Sequence, residues 1–212
     1  ANTTGTQNVA VGANALDAAD TNNNTAVGFE AMTNSTASEC VAVGSRALKA
    51  HTSGARNSAL GSEAATAVTT ADDITAIGRS SLAACTTGSS NTALGSKSLM
   101  ANTTGGSNVA VGANALNANT TANNNTAVGY QSLLSNTTGN NNLAMGREAM
   151  SVNTTGDNNT AIGSQALDAN TTADNNTAVG RSALGANTTG TSNTAVGKGC
   201  LDANTTANNN TG

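Results

Sequence analysis

Three cysteines, one histidine and a handful of aspartates are the side chains of this sequence able to act as nucleophiles, bases or metal ligands. Cys40, Cys85 and Cys200 are widely separated and match no metal-ligand spacing and no C-x-x-C pair. The expectation is free thiols, with an interchain bridge as the minor alternative. His51 is the only histidine, with no Ser, Cys or carboxylate at a suggestive spacing, and is expected to be a solvated turn residue. Asp72-Asp73, Asp157 and Asp174 lie in polar turns, where carboxylates invite calcium. Calcium-binding rolls, however, need G-G-x-G-x-D in a nine-residue period, and the chain has neither motif nor period. No catalytic residue, no cofactor site and no metal site is therefore expected.

The spacing of the glycines explains why the reactive residues are so scattered. Gly12, Gly28, Gly44, Gly61, Gly78, Gly95, Gly112, Gly129, Gly146, Gly163, Gly180 and Gly197 are each preceded, two residues earlier, by Ala. The first two steps are sixteen residues and the remaining nine are seventeen, a regularity that marks one short unit copied end to end. Asn125-Thr126-Ala127-Val128-Gly129 shows the unit's start, followed by two variable residues, a small residue with Leu or Met, and a polar stretch of the A-N-T-T-G kind. Val, Ile, Leu or Met always precedes the Gly. Period-2 alternation sets that residue and the one two before it on one face, with the Ala on the other. Seventeen residues are too few for a helix pair but accommodate two short strands and two turns, and Asn, Thr and Gly favour turns. Each unit is read as one coil of an all-β parallel β-solenoid over residues 1–212, a rod on the order of 55 Å long if coils stack at strand spacing.

Within a coil, the invariant Ala predicts a tight interior site, and the Gly a corner needing positive φ or close backbone approach. The Asn four before the Gly predicts a stacked amide ladder, broken at Cys40 and Ile74. With one Phe, one Tyr, no Trp and no Pro, a thin Ala and Leu interior buries little area per residue, so a single chain is expected to be marginal. The apolar row before the Gly is then the surface to bury against sister chains. Only 9% of residues are charged and the net charge is −4, which argues against a nucleic-acid surface. Arg46, Arg79, Lys97, Arg147, Arg181 and Lys198 occupy the variable positions after the Gly with Glu30, Glu63, Glu148, Phe29 and Tyr130, and are expected to decorate the outside. N-x-T triplets such as Asn102-Thr103-Thr104 and Asn187-Thr188-Thr189 are expected in exposed turns open to glycosylation. No apolar run approaches a membrane span, residue 1 opens inside a polar turn without a charged-then-apolar leader, and neither end carries a cap, as expected of a segment of a longer fibre.

The N-T-A-V-G-x-x-A-L unit, from Asn8 to Leu201, resembles the head repeats of YadA-type trimeric autotransporter adhesins and is similar to roll repeats of bacteriophage tail fibres. That resemblance implies a left-handed parallel β-roll forming a homotrimer, intertwined or side by side, with the Val/Ile row facing the other chains. The function expected is a non-catalytic structural rod, the adhesin head or stalk or the tail-fibre shaft, extracellular on a cell surface or virion. Any receptor or glycan would be bound by regions outside this segment. Two alternatives are a self-assembling extracellular filament without a specific receptor and a Thr-ladder ice-binding solenoid, whose strand Thr is interrupted by Val9, Val41, Val109 and Leu143. A polysaccharide-processing β-helix would need paired carboxylates and aromatic platforms that two aromatics cannot supply. With few charges and no metal site, stability is expected to change little between mild acid and neutral pH or on chelation.

Overall fold

A computed structural model describes residues 5–17 and 21–212; the turn expected at residue 1 lies outside them. Among the described residues the chain forms twelve three-residue strands, from β1 (Val9–Val11) to β12 (Thr194–Val196). All twelve join one parallel sheet in sequence order. The register is fixed by the repeat: in β8 (Thr126–Val128) and β9 (Leu143–Met145), Thr126 pairs with Leu143, Ala127 with Ala144 and Val128 with Met145. The protein is a parallel β-solenoid whose strand-bearing coils follow at about the repeat length. No helix among the described residues is long and apolar enough to cross a membrane.

The alternation expected for the strand is present. Ala26, Ala76, Ala127 and Ala178 have no accessible surface, while the residues on either side point outward. Ala at this site reflects the thinness of the coil. Its methyl group meets a second interior layer built from the small residue and the Leu that follow each Gly, such as Ser132 and Leu133, both fully buried. Inter-coil repetition therefore closes the interior of one chain by itself. The marginal single chain expected from composition is met by a core in which rows of Ala and Leu run the length of the rod.

Among the described residues the second strand expected in each unit is absent; a turn takes its place. An extended segment would send successive side chains to opposite faces, yet the small residue and the Leu after the Gly must both face inward. The chain solves this with Leu in the left-handed region: Leu133 has φ 49°, Leu116 φ 49° and Met150 φ 50°. For a bulky residue this conformation is costly, and it persists because each one is locked from two sides. The Leu133 amide donates to the Ala149 carbonyl of the next coil at 3.0 Å, and its side chain is enclosed. The residue two after the Gly is also left-handed, as in Gln131 (φ 54°), so the corner is a tight alternation of conformations rather than a strand.

The Gly corner meets both conditions expected of it. Gly129 has φ 132°, and a Cβ there would lie 2.5 Å from the Gly146 oxygen of the next coil. No side chain fits, because the obstacle is backbone stacked one coil away.

Ala127→Leu is expected to lower the melting temperature, since an isobutyl group in this closed layer forces strain of about 1–3 kcal/mol or more. A thermal melt followed by circular dichroism checks it, with Val128→Leu on the outer face as the control expected to change little.

Candidate functional site

Polar side chains inside a dry coil must each find a partner, since an unmet buried donor or acceptor costs about 1–3 kcal/mol. The repeat answers this with four rows of inter-coil hydrogen bonds. In the first, the Asn four before the Gly is buried and spans two coils. Asn125 Oδ1 accepts from the Asn142 amide at 2.9 Å, and Asn125 Nδ2 donates to the Gly139 carbonyl at 2.8 Å. The ladder expected here exists, but most rungs run from side chain to the next backbone. Direct amide-to-amide contacts occur at Asn108–Asn91 (3.2 Å) and Asn193–Asn176 (3.1 Å). Cys40 and Ile74 still donate their backbone amides to Asn24 Oδ1 and Asn57 Oδ1.

The true side-chain ladder lies in turns whose polar composition predicts exposure. Asn102, Asn119, Asn136, Asn153, Asn170 and Asn187, the Asn of A-N-T-T, are fully buried. Asn153 Nδ2 donates to Asn136 Oδ1 at 2.8 Å and to Gly156 O at 3.0 Å, and Asn170 Nδ2 donates to Asn153 Oδ1 at 2.9 Å. This corrects the expectation of exposed turns at the N-x-T triplets: Asn102 and Asn187 have no accessible surface and their amide nitrogens are donating inside the rod. The following Thr forms a third row, with Thr137 Oγ1 donating to the Thr154 carbonyl at 3.0 Å.

The fourth row accounts for the aspartates. Asp157 Oδ1 accepts from the Asn140 amide, and Asp174 Oδ1 from the Asp157 amide at 2.7 Å, where other coils use Asn123 or Asn140 for the same bond. Asp72 Oδ1 likewise accepts from the Ala55 amide at 2.8 Å. These carboxylates are turn acceptors that Asn replaces freely. Asp73 forms a two-point ion pair with Arg56 at 2.6 and 2.9 Å, both exposed. No cluster of three or more His, Cys, Asp or Glu occurs among the described residues.

The cysteines are free, and two of them sit inside the hydrogen-bonded rows. Cys40 occupies the first Asn row and Cys85 the second; both are buried, and burial pushes both thiols above the ordinary value. Cys200, in the small-residue position, is half-buried.

His51 is the clear correction. It is fully buried in the second Asn row, with Ser35 Oγ 2.9 Å from Nδ1 and Asn57 Nδ2 3.0 Å from Nε2. Its partners sit sixteen residues before and six after it, a spacing that becomes visible only once the coil length places them side by side. A Ser-His-Asn grouping suggests a nucleophile and base, but the bond directions exclude that use. The Asn57 amide nitrogen donates toward Nε2, so the ring proton lies on Nδ1 and is given to Ser35 instead of being taken from it. The serine is itself enclosed, and no cavity adjoins it among the described residues.

The outside of the rod carries two features. The sheet face presents the residues flanking the buried Ala, and along it Val11, Leu60, Leu94, Met145 and Val196 are exposed. The corner after the Gly presents Phe29 and Tyr130, both about half exposed, and Arg79, Arg147, Arg181 and Lys198, as expected. Glu30 there is held below the usual carboxylate range by its hydrogen bond to Lys49, with Arg46 adding to the effect. No protein-family model, no curated protein and no solved structure matches the chain.

Asn153→Ala should cost on the order of 1–3 kcal/mol for each orphaned partner, Asn136 Oδ1 and an Asn170 amide hydrogen. The exposed neighbour Thr155→Ala should stay within about 0.5 kcal/mol of the parent. Denaturant melts of the two variants separate them, and EDTA should move neither. A drop on chelation would show Asp157 and Asp174 holding a cation.

Proposed function

We propose that this protein is a non-catalytic structural rod, the shaft or head of an extracellular fibre on a cell surface or virion, assembled from parallel copies of itself as a homotrimer. One observation carries the reading. Every buried side-chain N and O among the described residues has a hydrogen-bond partner within the chain, while one face keeps an apolar side chain outward at each step. Val27, Val43, Ile77, Val111, Val128, Ile162 and Val179 continue the row between the exposed members. A contiguous apolar stripe along a rod is an association surface. Because its period is the coil itself, the partner it fits best is another rod with the same period.

The resemblance of the N-T-A-V-G-x-x-A-L unit to adhesin heads and tail-fibre rolls supports the trimeric form and the extracellular setting. A filament without a receptor uses the same stripe and differs only in what it carries. The Thr-ladder ice-binding reading is weaker on two grounds. The regular Thr row spends its hydroxyls on carbonyls of the next coil, as at Thr103 and Thr120. The outward strand row is broken by Val41, Val109 and Leu143.

Replacing two non-adjacent stripe residues, Val111→Glu with Ile162→Glu, is expected to leave the β circular-dichroism spectrum intact and to convert a trimer to monomer in sedimentation velocity. A parent chain that sediments as a folded monomer at micromolar concentration overturns the assembly and leaves a self-sufficient solenoid. Thermal hysteresis in the parent would favour the ice-binding alternative.

A further inference from the structure

The second Asn row is uneven along the rod. From Asn102 onward each coil supplies an amide that donates to the rung before it, but the preceding positions are Ser35, His51, Val68 and Cys85. Val68 has no polar atom to offer His51 from one side. From the preceding coil the ring meets the Ser35 hydroxyl, which also accepts from the Ala37 amide at 3.2 Å, and within its own coil the Gly54 carbonyl acts on it. Two sixteen-residue units fall in the same stretch, so the N-terminal coils lack both the regular length and the amide ladder of the rest.

The orientation of Asn57 determines which form of the ring is allowed. Asn57 Oδ1 accepts from the Ile74 amide at 3.0 Å, and Asn57 Nδ2 donates to the Ala71 carbonyl at 2.7 Å. Turning the amide over would set oxygen against oxygen and hydrogen against hydrogen, so it stays as it is. Its NH2 group then faces Nε2, which must remain a bare acceptor. A protonated ring would bring an N–H against that NH2 group inside a closed coil.

We propose that the Ser35–His51–Asn57 chain is an acid-release latch: on protonation of His51 the coils spanning roughly residues 35–57 open locally, while those joined by the unbroken amide ladder beyond Asn102 stay closed. Burial is the main influence on the ring and holds it below the ordinary histidine value, against smaller opposing pulls from the Gly54 carbonyl and the Asp72 carboxylate. Other charged groups on the neighbouring coils do not substitute for this control. Glu30 is paired with Lys49 and Arg46, Arg56 with Asp73, Glu39 is exposed, and the Cys40 thiol is kept neutral by burial. The sign follows from the lowered value. The closed form excludes a proton that the open form accepts, so stability is complete above the ordinary histidine pKa of about 6.5 and falls as pH drops below it. The latch therefore predicts a pH dependence at this end of the rod, where the sparse charges alone predict little.

Amide hydrogen exchange on the full chain between pH 7.5 and 4.5, with intrinsic exchange divided out, tests the latch. Protection at residues 36–37 and 52–57 should fall about tenfold per pH unit below about 6.5, as release of one proton-linked contact requires, while residues 102–193 hold theirs. His51→Asn, which restores the residue of the later coils, should flatten the slope. The same slope in His51→Asn, or no slope in the parent, overturns the proposal. If the variant fails to fold, ring 15N spectra of the parent decide: a single Nδ1–H tautomer at neutral pH whose titration tracks the protection loss supports the latch. A ring that titrates at the ordinary value with the coil still closed overturns it.

Discussion

Each coil of this rod must be satisfied by the one stacked on it, atom for atom, and almost every feature of the sequence follows from that constraint. In a globular fold a buried amide can find its partner anywhere in the chain. Here the partner is the same position one repeat later, at strand spacing of about 4.8 Å, so a residue is acceptable only if its copy is an acceptable neighbour. Asn satisfies this requirement best because it carries a donor and an acceptor on one short stem. A row of Asn therefore closes on itself, as it does from Asn102 to Asn187, whereas a row of Asp would set like charges against one another. The aspartates appear where the side chain only accepts, in the outer turn at Asp157 and Asp174, and there Asn and Asp exchange without altering the bond.

The same constraint sets the apolar residues. Because the interior is one coil wide, Ala127 and its equivalents cannot grow, and the volume comes from the Leu that follows the corner. Bringing both Ser132 and Leu133 inward forces Leu133 into the left-handed region. That strain is repeated in coil after coil and tolerated because the hydrogen bond from Leu133 to Ala149 and the enclosure of the side chain are repeated too. Local propensity is overruled here by the stack, so a segment with the length of a second strand makes a turn instead.

What could be read directly from the residues was whatever depended on period and polarity. The β-solenoid, the inward Ala, the outward apolar row, the Gly corner and the first Asn row all follow from spacings of two and seventeen. Three features were not legible: the burial of Asn102 and Asn187, the enclosure of His51, and the left-handed Leu. Each has the same physical origin. A-N-T-T-G has the composition of a solvated turn, and only its repetition in register, with Asn bonded to Asn, turns it into interior. His51 looked partnerless because Ser35 and Asn57 lie sixteen and six residues away, distances that mean contact only when the coil length is laid over them.

A rod built this way divides its surfaces by role. Interior positions are held by their copies above and below, so they are free to vary only at a cost in bonding, as Ile74 and Val68 show by having no side-chain donor or acceptor to offer their neighbours. Corner positions after the Gly meet solvent and their copies on neighbouring coils, as in Glu30 with Arg46 and Gln165 with Glu148, and Phe, Tyr, Arg, Lys, Glu, Gln and Ser all occur there. The sheet face falls between these extremes. Its inner edge is fixed by the pairing of the strands, and of its two outward columns the one before the Gly stays apolar throughout, part-buried at Val27, Val128 and Val179 and exposed at Leu60, Met145 and Val196. On that face the apolar column recurs at every rung, so its spacing is the coil spacing itself, which the in-register pairing of the strands sets.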